Sequence, residues 1–206
     1  MKKIKLINSA IAFLVLTGTA YAAPSQKSMF TDNSIIVYGS QMKGTAKEET
    51  VIAFNLKKQM KSFINMWSDN KVNENTLKKS NLIILGYDKS NNILNFTSQP
   101  FVKSNFPVDF REDSFTFGNK VYTGRNDGIA FIYPSPYNAK NYTMIYYSNS
   151  LGGLENLTKN IKITGENEYQ IVSDKGVVRE GKFNKGNFMW KYDPNMDNDY
   201  NSGSEE

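Results

Sequence analysis

The sequence predicts an α/β protein, with a β-α-β-α order in its first half and a mixed sheet with hairpins in its second half. Three observations carry this prediction. Two short apolar runs rich in β-branched residues, Ser34–Tyr38 and Leu82–Leu85, are each followed by a glycine and are typical of buried strands. An amphipathic helix is predicted between them. Short apolar segments separated by turn residues fill the rest of the chain.

The first half begins with a strand that ends at Gly39. Thr45 and Glu48 then have the spacing of a capping box, which predicts the start of a helix. An apolar stripe at three- and four-residue spacing continues that helix through Ile52, Leu56, Met60, Phe63 and Trp67. We therefore expect the helix to reach Trp67 and to bury this tryptophan against the sheet. Residues 68–80 are predicted as a polar loop with room for one helical turn, and 93–96 as a short helix.

The second half is predicted to contain shorter strands. Phe106–Tyr122 is expected to form two or three of them, with turns at Glu112-Asp113 and Gly118-Asn119. The remaining predicted elements are a strand over Gly128–Tyr133, a strand over Tyr142–Tyr147, a helix over Leu151–Asn160 and a hairpin over Glu168–Phe183 that turns at Asp174-Lys175-Gly176.

The amino terminus has the layout of a bacterial secretory signal peptide. Three lysines among the first five residues precede an apolar run, and Ala20-Tyr21-Ala22 is a cleavage signature. We expect cleavage after Ala22, followed by a flexible leader over 23–33. The apolar run is too short to span a bilayer, so the mature protein is expected to have no membrane anchor and to be periplasmic or extracellular.

The composition excludes several chemistries. The chain has no His and no Cys, so it cannot supply a Ser-His-Asp triad or a Cys-His pair. Structural zinc sites almost always use these two residue types. We therefore predict no catalytic residue, metal or cofactor, although carboxylate chemistry stays open.

The charge distribution separates the body of the chain from its end. The full chain has 25 basic and 20 acidic residues, and loss of three lysines with the signal peptide gives 22 − 20 = +2. Residues 193–206 hold five acids and no basic residue, which predicts a disordered acidic tail and a domain over 34–192. The body, at 22 − 15 = +7, is suited to anionic envelope polymers, and no nucleic-acid partner is expected.

Two motifs resemble known ligand loops only in part. Gly39 and Gly44 have the outer glycine spacing of a phosphate loop, but Thr45-Ala46 replaces the Lys-Ser/Thr pair. The segment fits either an anion site at a helix N-terminus or a plain turn. Asp197–Asn201 copies the first positions of a calcium loop, with Ser202 in place of glycine. A solvated tail explains that second segment better.

A carboxylate cluster and a tyrosine were considered as functional groups. Asp109, Glu112 and Asp113 would suit a small glycan hydrolase if two of them faced each other at a set separation. They surround a predicted turn, where acids are usually only solvated. Tyr137 lies off the strand on a proline-stiffened turn and is a candidate for ligand contact.

A series of short motifs resembles one protein family. The motifs are Ile35–Ser40, Asn81–Gly86 with Asn92, Phe115–Gly118 with Tyr122, Gly128–Pro136, and Gly176–Phe183 with a following Trp. Together they resemble the accessory C-terminal region of secreted bacterial hydrolases of the prolyl oligopeptidase/esterase type. The resemblance implies a single Rossmann-like domain without the catalytic domain, and it brings no catalytic residue to this chain. The chain departs from the pattern at Ser135, where the family usually has Asn.

These observations favour a secreted, non-catalytic accessory or binding module for a peptide, a glycan or a partner hydrolase. The alternatives are a carboxylate-based glycan hydrolase and a secreted effector that contacts the envelope. Any ligand is expected where strands end, because loops and helix N-termini collect there in α/β sheets. The predicted ligand-binding residues are Gly39, Ser40, Gly44, Thr45, Gly86, Tyr87, Asp88, Pro134, Ser135, Tyr137 and Asn138.

Overall fold

The structure is a computed structural model of the chain. It describes residues 29–30, 33–60, 63–98, 106–138, 140–161, 166–185 and 190–200, with backbone only at 96–98. The predicted signal peptide lies outside the described residues. Of the predicted flexible leader, Met29 is described and is fully buried, and the Ser34 hydroxyl donates a hydrogen bond to its carbonyl.

The described residues form eleven strands in two sheets. The strands are β1 Ser34–Tyr38, β2 Asn65–Ser68, β3 Asn81–Tyr87, β4 Val108–Arg111, β5 Ser114–Phe117, β6 Lys120–Tyr122, β7 Gly128–Pro134, β8 Tyr142–Ser148, β9 Tyr169–Ser173, β10 Gly176–Lys185 and β11 Trp190–Asp199. The helices are α1 Ala46–Met60, α2 Glu74–Lys79 and α3 Leu151–Asn160, with a 3-10 helix over Asn92–Ser98. None of the described helices is long and apolar enough to cross a membrane.

The larger sheet has eight strands in the order β11-β10-β9-β7-β8-β3-β1-β2. Strands β2, β1, β3 and β8 are parallel, whereas β7, β9, β10 and β11 join them by antiparallel pairing. The prediction of a Rossmann-like α/β domain with a β-α-β-α first half is therefore wrong, since the described part of the chain is mostly β. Short connections join β7 to β8 and β9 to β10, and such connections suit antiparallel neighbours, whereas α3 links β8 to β9 across β7.

The helix predicted to reach Trp67 ends at Met60, so this part of the prediction is wrong. Asn65–Ser68 forms the edge strand β2, in which Trp67 pairs in register with Val37 of β1. Phe63 is 95% exposed and Trp67 is 43% exposed, although both continue the helical spacing. Sequence spacing alone did not show that the backbone of this segment adds a strand to the sheet.

The smaller sheet, β4-β5-β6, packs its aromatic side chains on the larger one. The Phe110 and Tyr147 ring centroids are 4.1 Å apart, and those of Phe117 and Tyr169 are 4.6 Å apart. The turns predicted around Asp113, Gly118 and Gly176 are confirmed, with φ values of 56°, 58° and 88°. Glycine suits the two latter positions because it adopts the left-handed region without a Cβ clash.

The first half of the predicted acidic tail is a strand. Residues 193–199 belong to β11, which pairs antiparallel with β10, so the prediction of disorder is wrong there. Asp197 lies 2.7 Å from the Arg179 Nε, and both side chains are more than 90% buried. The segment thus orders because one of its acids meets a buried guanidinium, a partner that composition does not reveal. Residues 201–206 lie outside the described residues.

Candidate functional site

Three loops meet where the parallel strands β1, β2 and β3 end. Asp69, directly after β2, joins them: its carboxylate accepts hydrogen bonds from the Ser40 hydroxyl, the Gln41 side-chain amide and the Asn92 backbone N–H. The last two distances are both 2.7 Å. Since Asp69 is 5% exposed, these donors replace the water it loses on burial. Asp69 is therefore the residue that positions the loops.

The loop after β3 is also tied to β1. The Asn91 side-chain amide donates to the carbonyls of Val37 and Leu85, at 3.2 and 2.7 Å. The Gln41 backbone N–H donates to the Ser90 carbonyl at 3.0 Å. The ends of β1 and β3 are consequently held at a fixed separation, and helix α1 begins beside them.

Glu49 of α1 points into this junction and is 1% exposed. Its Oε2 accepts a hydrogen bond from the Ser90 hydroxyl at 3.1 Å, whereas its Oε1 has no partner among the described residues. Burial raises the pKa of Glu49 to about 7; the Asp69 charge adds to the rise, and hydrogen bonds from Ser90 and Gly39 oppose it. A buried carboxyl with one free oxygen is an unusual feature that calls for a chemical explanation.

Gly39 allows this carboxyl to approach the backbone. A Cβ at position 39 would lie 2.4 Å from the Glu49 Oε2 and 2.5 Å from the Ser90 carbonyl oxygen. Neither contact is tolerable, so the close approach requires glycine at this position.

The remaining polar groups of the junction are hydroxyls and further acids. Thr45 and Tyr87 share a hydrogen bond of 2.5 Å between their hydroxyls, so the Thr45 side chain is not engaged in the predicted capping box. Burial raises the pKa of Tyr87, and the charges of Glu49, Asp88 and Glu48 raise it further. We call the set Gly39, Ser40, Thr45, Glu49, Asp69, Tyr87 and Ser90 the carboxyl-edge site. Exposed Lys43, Lys47 and Lys89 lie in the same segments, but the charges that shift the pKa of the buried Glu49 and Tyr87 are those of acids, which favours a cation over an anion.

This charge bears on the phosphate-loop resemblance of Gly39–Thr45. The loop wraps around the Glu49 carboxyl and places Ser40 and Gln41 on Asp69. Two buried acids beside these backbone amides oppose the binding of phosphate or sulfate. The loop is better explained by the acids it encloses than by an anion.

The structure brings together some of the predicted ligand-binding residues. Gly39, Ser40, Thr45 and Tyr87 belong to the carboxyl-edge site, and Asp88 follows Tyr87 in a turn with φ of 41°. Gly86 packs under the 3-10 helix, where a Cβ would lie 2.9 Å from Asn91 and Leu94. Gly44 is exposed, with open space around its Cα.

The third predicted loop, Pro134–Asn138, lies at the opposite ends of the strands from the carboxyl-edge site. Strand β7 runs antiparallel to β8, so Pro134 pairs with Tyr142 at the start of β8. Asn138 donates to the Lys78 carbonyl at 2.8 Å, which places it near the start of β3. Ser135 is buried, and burial raises the pKa of the neighbouring Tyr137 to about 12. The three predicted loops therefore do not meet in one space, because β7 runs in the opposite direction to β1 and β3 and its carboxyl end lies at the other end of the sheet.

Sequence reasoning missed the residues at the centre of the site, Glu49, Asp69 and Ser90. One signal was available for Glu49. It shares the helical spacing of the buried residues Ala53, Leu56 and Met60, so the apolar stripe of α1 contains an acid. An acid on a core-facing stripe is rare enough to mark a site. Asp69 and Ser90 lie in polar loops and carry no comparable signal.

Other candidate groups do not form a reactive arrangement. Asp109 pairs with Arg111 of its own strand at 2.9 Å, and Asp113 occupies a left-handed turn, so neither faces a second carboxylate across a cleft. Ser150 lies in the turn between β8 and α3, where a nucleophilic serine would stand on a strand–turn–helix, but its φ of −154° is extended and unstrained. Its hydroxyl accepts from the Gly153 N–H and donates to the Arg125 carbonyl. Ser150 is therefore a helix cap.

No protein-family model matches this chain, and no curated protein matches it. The resemblance to hydrolase accessory regions stays a prediction.

Proposed function

We propose that the protein is an exported, non-catalytic binding module that holds a cationic group of a peptide, an ammonium or a guanidinium, at the carboxyl-edge site. The observation that carries this proposal is the Glu49 carboxyl, which is buried, has an unpartnered oxygen and lies near the Asp69 charge. The partner that supplies the peptide is expected to be another secreted protein, such as a hydrolase.

The chemistry of Glu49 explains the preference for a cation. A positive charge within about 4–6 Å favours the ionised form of a carboxyl and lowers its pKa. A bound ammonium or guanidinium would donate to the free Oε1 and would compensate for the burial of the charge. Binding then releases the proton from Glu49. Asp69 has its oxygens occupied by three donors and acts as a positioning residue.

Access to Glu49 requires movement of the loop that encloses it. The exposed segment Gln41–Gly44 is held by the bonds from Gln41 to Ser90 and to Asp69. Breaking the bond to the Ser90 carbonyl costs about 1 kcal/mol net, and breaking the bond to the Asp69 carboxyl costs about 1.5–3 kcal/mol. Opening of this loop is therefore part of the proposed binding step.

The test is a titration of the isotope-labelled protein with acetyl-Ala-Arg-Ala-amide, using acetyl-Ala-Gln-Ala-amide as the matched neutral peptide. We expect only the arginine peptide to shift the amide resonances of Gly39, Thr45 and Ser90. Affinity should increase as the pH rises from 6 to 8, because Glu49 ionises through a pKa of about 7. Glu49→Gln should abolish binding, and Glu48→Gln, which changes an exposed acid beside it, should preserve most of it. Equal binding of both peptides, or binding that does not depend on pH, would contradict the proposal.

A carboxylate-based glycan hydrolase is the second candidate, and the pKa of Glu49 favours it. A carboxyl with a pKa of about 7 holds its proton near neutral pH, as a general acid must. The test is the release of reducing ends from peptidoglycan and chitin oligosaccharides. Turnover that is lost in both Glu49→Gln and Asp69→Asn, with the fold retained, would replace the binding proposal. Absence of turnover with peptide binding intact would dismiss the hydrolase.

A further inference from the structure

The two edges of the eight-stranded sheet differ in how they are protected. Strand β11 forms one edge and contains Pro194, Lys191 and five aspartates or asparagines, which discourage pairing with another strand. Strand β2 forms the other edge and reads Asn-Met-Trp-Ser, with no proline and no charged residue. The Ser68 carbonyl accepts hydrogen bonds from the Lys71 and Val72 backbone N–H groups, whereas the outer backbone groups before it have no described strand beside them and could pair with one.

Large apolar side chains are exposed beside this unprotected edge. Trp67 of β2 is 43% exposed, and Phe63, two residues before the strand, is 95% exposed. Phe54 lies on α1, the helix that packs on β1 and β2, and is 48% exposed. A soluble protein rarely leaves several aromatic side chains uncovered in one segment unless a partner covers them.

The exposed charges of the same segment are mostly positive. Glu74 pairs with Lys78 at 2.6 Å, and Asp69 is buried on its three donors. The other exposed charged side chains described between Phe54 and Ser80 are Lys58, Lys71 and Lys79. Lys58 lies in the last turn of α1, 4.5 Å from the Phe54 ring centroid, and Lys71 follows β2 by three residues. Positive charge thus flanks the edge strand at both ends.

We propose that β2 is a docking edge for an extended acidic peptide segment of a partner protein. The backbone of the segment would continue the ladder of β2 as an added strand. Its apolar side chains would cover Trp67 and Phe63, and its acidic side chains would meet Lys58 and Lys71. The charge complementarity favours an acidic partner over a basic one, because like charges across an interface suppress binding. This edge shares no side chain with the carboxyl-edge site, so the two proposals fail independently.

The probe is acetyl-Glu-Val-Glu-Val-Glu-Val-amide, added to the full chain, with the corresponding Lys-Val peptide as its charge-reversed control. We expect the acidic peptide to slow hydrogen exchange at the amides of Asn65–Ser68 and to bind more weakly as salt is added. The double variant Lys58→Glu/Lys71→Glu should weaken binding about tenfold. Lys175→Glu, an exposed lysine in the turn between β9 and β10, should leave it unchanged.

Two results would overturn the proposal. One is equal binding of the acidic and the basic peptide, or exchange at Asn65–Ser68 that neither peptide slows. The other is slower exchange at these amides as the protein concentration rises, together with dimers in sedimentation, which would identify a second copy of the chain as the occupant. Trp67→Ser tests the apolar contact separately. It changes an exposed side chain, so folding should persist, and unchanged affinity would show that the aromatic group takes no part.

Discussion

At the residue scale, the Glu49 carboxyl links the stability of the protein to pH. Its pKa is raised from 4.5 to about 7, chiefly by burial. Between these values the folded state keeps a proton that the unfolded state has lost, so the free energy of unfolding falls as the pH rises from 4.5 and levels off above 7. The full loss is at most on the order of 3–4 kcal/mol, since one pKa unit corresponds to about 1.4 kcal/mol.

Glu49→Gln should remove this dependence. We expect the variant and the wild type to be similar in stability near pH 4.5, and the variant to gain on the wild type up to pH 7. Urea unfolding at several pH values measures the difference. Glu48→Gln, at an exposed position, should give a curve parallel to that of the wild type. If the free energy of unfolding of Glu49→Gln also changed with pH as that of the wild type does, the Glu49 carboxyl would not be desolvated.

The buried pair of Arg179 and Asp197 gives a second prediction at this scale. Asp197 also accepts hydrogen bonds from the Tyr169 and Tyr192 hydroxyls, at 2.7 and 3.0 Å. Asp197→Ala leaves the guanidinium buried without its counter-charge, which typically costs about 3–5 kcal/mol. Asp193→Ala, at a partly exposed position of the same strand where the carboxylate accepts from Asn184 and Asn195 but has no buried counter-charge, should cost less. Chemical denaturation compares the two, and a cost for Asp197→Ala below about 1 kcal/mol would contradict the role given to the pair.

At the scale of elements, β11 is an integral strand of the sheet. It carries Trp190, which is 8% exposed, and Asp197, which pairs with Arg179 of β10. A chain that ends at Lys185 should therefore lose stability cooperatively, whereas a chain that ends at Tyr200 keeps the strand whole. Circular dichroism during heating compares the two chains. Equal midpoints would show that β11 contributes nothing to the fold.

Some of the elements follow from the local sequence pattern, and others depend on tertiary contacts. The apolar runs that became β1 and β3, and the turns at Asp113, Gly118 and Gly176, follow from side-chain type and backbone geometry within a few residues. The segment 63–68 carries the same spacing as α1 but forms an edge strand, because pairing with β1 outweighs a weak helical preference. The acidic residues of β11 suggested a solvated tail, yet a partner 18 positions earlier in the chain orders them.

At the scale of the whole molecule, the two tryptophans report on opposite ends of one sheet. Trp67 lies on the β2 edge and Trp190 on the β11 edge. If the parallel and antiparallel halves form one cooperative unit, the variants Trp67→Phe and Trp190→Phe should show the remaining tryptophan changing at the same denaturant concentration. Fluorescence during urea unfolding measures both transitions. The stability of each variant is measured separately by circular dichroism. If the two fluorescence midpoints differ by more than these stabilities do, the sheet unfolds as two units.

The sequence by itself determined the chemistry that this chain cannot perform and the positions of most strands, because residue type and short-range spacing act locally. It also predicted that Gly39, Ser40, Thr45 and Tyr87 lie where strands end. Only the tertiary structure decided which strands end on the same side. Strand β7 is antiparallel to β8, so Pro134–Asn138 lies at the opposite strand ends from the carboxyl-edge site. Only the tertiary structure placed Glu49 beside Asp69 and Ser90, because a buried carboxyl depends on groups that are distant in the chain and brought together by folding.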